Sequence, residues 1–163
     1  MTDSHQSPGR TVEVCLRTDV QGVVAARQSA VLDRVRRLKH RDRIDGMRVR
    51  RWGKCVLHPG DVPPGAVDDR AEVVEEIFDA VQGTDLSLSP AFRRSEDTGG
   101  RPLLYLPVVG LLVREGDRIV GVYPVSEGDD RFTVDDALSA IEDGRDPSNV
   151  GTESTVETPP PLA

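Results

Sequence analysis

The residues able to do chemistry fall into three kinds. Histidine appears three times, as His5, His40 and His58, in an N-terminal tail, a basic helix end and a Pro-Gly loop. None is spaced with Cys, Asp or Glu so as to build a metal set. Cys15 and Cys55 also fit no metal spacing, and each lies in a strand-like segment, so buried free thiols are expected. No GxSxG, HExxH, P-loop or GxGxxG sequence occurs, so no catalytic residue, metal or cofactor is assigned and the chain reads as non-enzymatic. The third kind is a block of positive charge. RVRRLKHRDRIDGMRVRRWGK, from Arg34 to Lys54, holds ten Lys or Arg in twenty-one residues. An arginine fork binds two phosphate oxygens, and a tryptophan ring stacks on an unpaired base. Arg34, Arg37, Arg41, Arg48, Arg50, Trp52 and Lys54 are therefore the candidate nucleic-acid-binding residues.

Three readings of the block stay open. It is a solvated surface whose arginines pair with an acidic second helix or other exposed carboxylates, a phosphate-contacting surface, or a surface for another protein or a second copy of the chain. The partner is then DNA, a homodimer partner or another protein. No apolar run is long enough to suggest a membrane, and the N-terminus has no signal-peptide pattern, so a cytoplasmic protein is expected.

The block stands out because the chain is acidic, with 21 Lys and Arg against 28 Asp and Glu and a formal charge of −7. Residues 27–54 carry eleven basic and three acidic groups, while residues 55–163 carry eight and twenty-two. The basic side is nineteen Arg and only two Lys, Lys39 and Lys54. This bias resembles that of proteins from salt-loving archaea, where high negative charge keeps proteins soluble in concentrated salt. At about 1 M salt the Debye length is only about 3 Å, so a polyanion there must be held by close contacts.

The elements that position these residues follow from period. A length of 163 residues implies a single domain. Composition marks residues 1–10 and 144–163 as disordered tails and leaves 11–143 as the domain. TVEVCLR (11–17) alternates Val12, Val14 and Leu16 against Glu13, Cys15 and Arg17, a strand with one buried face. Residues 22–41 form a helix with Val24, Gln28, Val31, Val35 and Leu38 on its core side, beside a stripe of Arg27, Arg34, Arg37 and Arg41. It stops near Gly46. MRVRRWGKCVL (47–57) is a second strand, with Met47 and Val49 toward the core and Arg48, Arg50, Trp52 and Lys54 outward. Gly53 marks a bulge. After a loop at 58–65, Val67, Ala71, Val74, Phe78 and Val81 define a second helix with an acidic outer face. An antiparallel meander follows, with a Gly116-Asp117 hairpin, and then a last helix capped by Thr133. The order β-α-β-α-β-β-β-α gives an α+β fold, an antiparallel sheet with helices packed on one face.

TVEVCLR, RQSAVLDRVRRL, MRVRRWGKCV and the run from Ala91 to Ile141 resemble a family of small haloarchaeal proteins described as helix-turn-helix domain-containing. The likeness covers most of residues 11–143, and its most recognisable points are Trp52-Gly53-Lys54 and Leu106-Pro107-Val108. The resemblance implies a DNA-binding transcriptional regulator. It brings no catalytic residue and no cofactor. A helix-turn-helix joins two helices by a short turn. The predicted strand between the first two helices and the acidic second helix direct any DNA contact to the basic first helix and the strand after it.

Overall fold

The structure, a computed structural model, describes residues 9–57 and 69–150. Its elements are β1 (Arg10–Arg17), α1 (Gly22–His40), β2 (Gly46–Trp52), β3 (Cys55–Leu57), α2 (Asp69–Val81), β4 (Arg93–Glu96), β5 (Pro102–Tyr105), β6 (Val109–Glu115), β7 (Arg118–Tyr123), β8 (Val125–Glu127), β9 (Asp130–Phe132) and α3 (Val134–Glu142). The main sheet has the order β2-β1-β6-β7. β1 and β2 are parallel, linked through α1, whereas β6 runs antiparallel to both β1 and β7. A second sheet has the order β3-β5-β4, and β8 and β9 form a small hairpin.

The α+β class expected from the sequence is the class observed, with two differences in arrangement. The main sheet is mixed, because the crossover helix α1 returns the chain parallel to β1. Helices also cover both of its faces. Val12, Val14 and Leu16 of β1 pack with Val31, Val35 and Leu38 of α1 and with Ala137, Leu138 and Ile141 of α3. The opposite face carries a second core, in which Cys15, Leu112, Ile119 and Val122 meet Val73, Val74 and Ile77 of α2 and Leu104 of the second sheet. Alternation along β1 therefore separates two cores, not core from water. Both cysteines are free, Cys15 buried and Cys55 half-buried.

The break after Trp52 creates the second layer. Gly53 is no bulge: the chain leaves the main sheet there, and Cys55 begins β3 in the other one. The apolar run 101–115 divides in the same way into β5 and β6, one in each sheet. The two links lie against each other. The indole N–H of Trp52 donates to the Pro107 carbonyl at 3.0 Å, and the Leu106 amide donates to the Lys54 carbonyl at 2.9 Å. Gln28 of α1 is buried and donates to the carbonyls of Arg17 and Val108 at 3.0 and 3.1 Å. Two sequence segments separated by about fifty positions thus form one joint, where irregular backbone is hydrogen-bonded and not left unsatisfied. A Cβ on Gly110 would stand 2.8 Å from the Trp52 ring, so glycine leaves the room that this ring fills.

Local signals set the remaining boundaries. α1 ends at His40, and Asp42 takes the left-handed turn with φ 58°, so Gly46 is free to begin β2. Thr133 caps α3 in a reciprocal capping box with Asp136, and Asp135 and Asp136 sit in the first turn, where the helix dipole favours negative charge. Gly116, at φ 62°, supplies the tight β6–β7 hairpin. Among the described side chains of α2 the buried residues are Val73, Val74 and Ile77, so Val74 of the expected stripe is buried while Phe78 and Val81 are half-buried. Residues 145–150, assigned by composition to the tail, run beside the β7 edge. There Asn149 pairs its side chain with the Val122 backbone at 2.9 and 3.0 Å, and Val150 is buried. The expected loop 58–65 and the ends of both tails lie outside the described residues.

Candidate nucleic-acid interface

The basic block separates into residues already engaged within the protein and residues that are not. Arg34 belongs to the first group. Its Nε and Nη2 grip both carboxylate oxygens of Glu142 at 3.1 and 2.8 Å, and its Nη1 reaches Asp135 at 3.1 Å. Arg27 reaches the same Asp135 at 3.4 Å. The arginine stripe of α1 thus pairs with α3. Hydrogen bonding to Arg34 holds the Glu142 carboxyl below its usual range, against a smaller opposing effect of burial.

Arg50 is engaged more deeply. Its Nε donates at 2.7 Å to Glu13, which is fully buried, and Arg114 donates to the other Glu13 oxygen at 2.8 Å. Arg114, itself only 6 % exposed, also pairs with Glu76 of α2 at 3.0 Å. Burial pushes the Glu13 carboxyl up, but the hydrogen bonds and charges of Arg50 and Arg114 together hold it below the ordinary glutamate range. The four side chains clamp α2 against the main sheet.

Trp52 corrects an expectation. It points away from α1 as the alternation requires, but that face is covered, and the ring is fully buried with Phe92 edge-on at 5.9 Å. It is a core residue, out of reach of any base. Lys54 is exposed but lies beyond the carboxyl end of β2, with its ammonium 5.8 Å from the centre of the Tyr105 ring. Arg93 approaches the same ring at 5.1 Å. β2 spans about 20 Å at the usual rise per residue, so Lys54 is remote from the charges at the start of that strand.

What is left, apart from exposed Arg51 farther along β2, gathers around the end of α1 and the start of β2. Arg37 and Arg41 at the end of α1, Arg43 in the turn and Arg48 near the start of β2 are exposed, and none forms an ion pair among the described residues. Lys39 on the last turn of α1 is also exposed. β2 is an edge strand, so Arg48 on one of its faces and the end of α1 on the other wrap one rim of the molecule. Arg43 was absent from the sequence-based set. Its position in the turn after α1, between Arg41 and Arg48, is the signal that could have found it.

The profile of a helix-turn-helix domain family matches residues 4–146. The chain belongs to this family. No curated protein and no solved structure matches it. Among the described residues, α1 and α2 are separated by β2 and β3, so no short turn joins two consecutive helices. α2 exposes Glu72, Glu76 and Asp79, which would face phosphate with like charge. Exposed cations that form no ion pair among the described residues stand around the end of α1 and the start of β2. No described helix is long and apolar enough to cross a membrane.

Proposed function

We propose that this protein is a non-enzymatic DNA-binding transcriptional regulator in the salt-rich cytoplasm of a halophilic archaeon, and that it contacts phosphates through Arg37, Arg41, Arg43 and Arg48. Membership of a helix-turn-helix domain family supports DNA as the polyanion. The observation that carries the reading is the rim itself: four exposed arginines that form no ion pair among the described residues, on a chain with a formal charge of −7. Elsewhere in the block, Arg34 and Arg50 are taken up by ion pairs. Guanidinium groups suit the task because they form two hydrogen bonds to one phosphate, and such bonds persist in salt that screens a diffuse field.

The test is binding of labelled duplex DNA over a series of KCl concentrations, for the natural chain and an Arg41→Glu, Arg48→Glu double variant. Each phosphate contact contributes about −0.9 to the slope of log affinity against log salt, so the variant is expected to bind more weakly and with a slope about two units shallower. Equal binding by the variant, or no binding at any KCl concentration, overturns the proposal.

A further inference from the structure

Two adjoining cavities of about 240 and 380 Å³ open at the carboxyl ends of the parallel strands β1 and β2. Both are lined by Arg17, Thr18, Asp19 and Val20, the segment that leads from β1 toward α1. Where parallel strands end and a crossover helix starts, the backbone opens a crevice, and ligands of α/β folds settle in such crevices. The lining here is selective. Arg51 contributes to the smaller cavity and Lys54 to the larger, so three cations face Asp19, the single carboxylate in either lining. Leu16, Ala25 and Leu32 give the smaller cavity an apolar wall.

Arg17 is the most informative of these groups. One of its terminal nitrogens donates to the Leu106 carbonyl, which fixes the guanidinium in place. Its Nε is buried and has no acceptor among the described residues. A buried donor left without an acceptor is costly, so this guanidinium at the cavity wall is not fully satisfied within the fold. The start of α1 adds to the same field. Gln21 makes no side-chain cap there and the first turn holds no acidic residue, so within the helix nothing offsets its positive end.

We propose that this crevice binds a small organic acid, with its anionic oxygens at Arg17 and Lys54 and its apolar body against Leu16, Ala25 and Leu32. Arg51 holds the rim of the smaller cavity. The shared chemistry is an anionic oxygen group on a small apolar frame, and either a carboxylate or a phosphate meets it. The site is separate from the basic rim at the other end of β2 and does not depend on DNA binding.

Nitrogen-15 NMR of the full chain tests this without DNA. Benzoate serves as the carboxylate probe, phenyl phosphate as the phosphate probe and benzyl alcohol as the uncharged control. The expected result is a saturable shift of the Arg17 Nε–H signal and of the amides of Thr18–Val24 with at least one anionic probe and none with benzyl alcohol. Lys54→Gln and Arg51→Gln alter exposed side chains and preserve the fold, and the Lys54 variant should weaken the stronger probe about threefold to tenfold, as loss of one charged contact does. Saturation by benzoate alone assigns a carboxylate ligand, and saturation by phenyl phosphate alone assigns a phosphate. The proposal is overturned if neither anion saturates, if benzyl alcohol shifts the same signals equally, or if Lys54→Gln binds with unchanged affinity.

Discussion

Glu13 sits in the middle of β1 with no exposed surface, between Arg50 on one neighbouring strand and Arg114 on the other. A buried carboxylate is tolerated only where partners repay its lost hydration, and removing one member of such a set leaves the others uncompensated. Glu13→Gln keeps the shape and removes the charge. At neutral pH it is expected to destabilise the fold by about 3 kcal/mol, at the low end for a broken buried pair because Arg114 retains Glu76. The pH dependence has a definite sign. The Glu13 carboxyl is held below its unfolded value, so its stabilisation is complete above the usual glutamate range and is lost as pH falls through the lowered folded value. Protonated Glu13 resembles glutamine, so the gap between natural chain and variant should narrow in acid. Urea midpoints measured from neutral pH downward check this, and a gap independent of pH would show that the charge of Glu13 is not what the site needs. In the sequence Glu13 reads as a solvent-facing residue of a one-sided strand. Nothing in that alternation reveals that α2 and a second sheet cover the polar side.

α1 was legible almost residue by residue. Its expected core stripe is buried at Gln28, Val31, Val35 and Leu38, because helical period reports directly which positions share a face. Only Val24, in the first turn, stands largely exposed at 37 %. The strands were harder. β3, β8 and β9 have three residues each, too short for any periodic signal, and the division of 47–57 between two sheets depends on where distant segments pack. Equally unreadable was the destination of the α1 arginines, since α3 lies about a hundred positions later in the chain. The Arg34–Glu142 contact is two-pronged and half-buried, with 24 % and 37 % of the side chains exposed. Exposed pairs contribute little, but a forked one at a helix–helix seam is expected to couple by about 1 kcal/mol. A double-mutant cycle on Arg34→Ala and Glu142→Ala, read from urea midpoints, measures that coupling. A coupling near zero would mean that apolar packing alone joins α1 to α3.

Across the whole molecule, charge is arranged on two levels that composition alone runs together. The fold uses Arg34 of the block to bind α3 and Arg50 to hold buried Glu13, whose other partner Arg114 pairs with α2, and leaves other positive groups of the block at one rim. The sequence locates the block; tertiary contacts decide how each charge is used, and this is why Trp52 lies in a core and Lys54 beside Tyr105 while Arg43 stands exposed at the rim. The sum remains negative, and residues 55–163 hold twenty-two acidic groups against eight basic ones. Like-charge repulsion across that surface acts over about 10 Å at 0.1 M salt and over about 3 Å at 1 M. The ion pairs within the fold are closer than either length, with Arg34–Glu142 between α1 and α3 at 2.8 Å and Glu13–Arg50 between β1 and β2 at 2.7 Å, and so are screened less than the repulsion. Raising KCl from about 0.1 to about 1 M should therefore stabilise the fold, with most of the gain at the lower end, where the screening length changes fastest. Thermal midpoints across that range, with sucrose at matched water activity as the control for excluded cosolute, provide the measurement. A midpoint that falls with KCl would show that attraction within the ion-pair network outweighs the repulsion of the acidic surface.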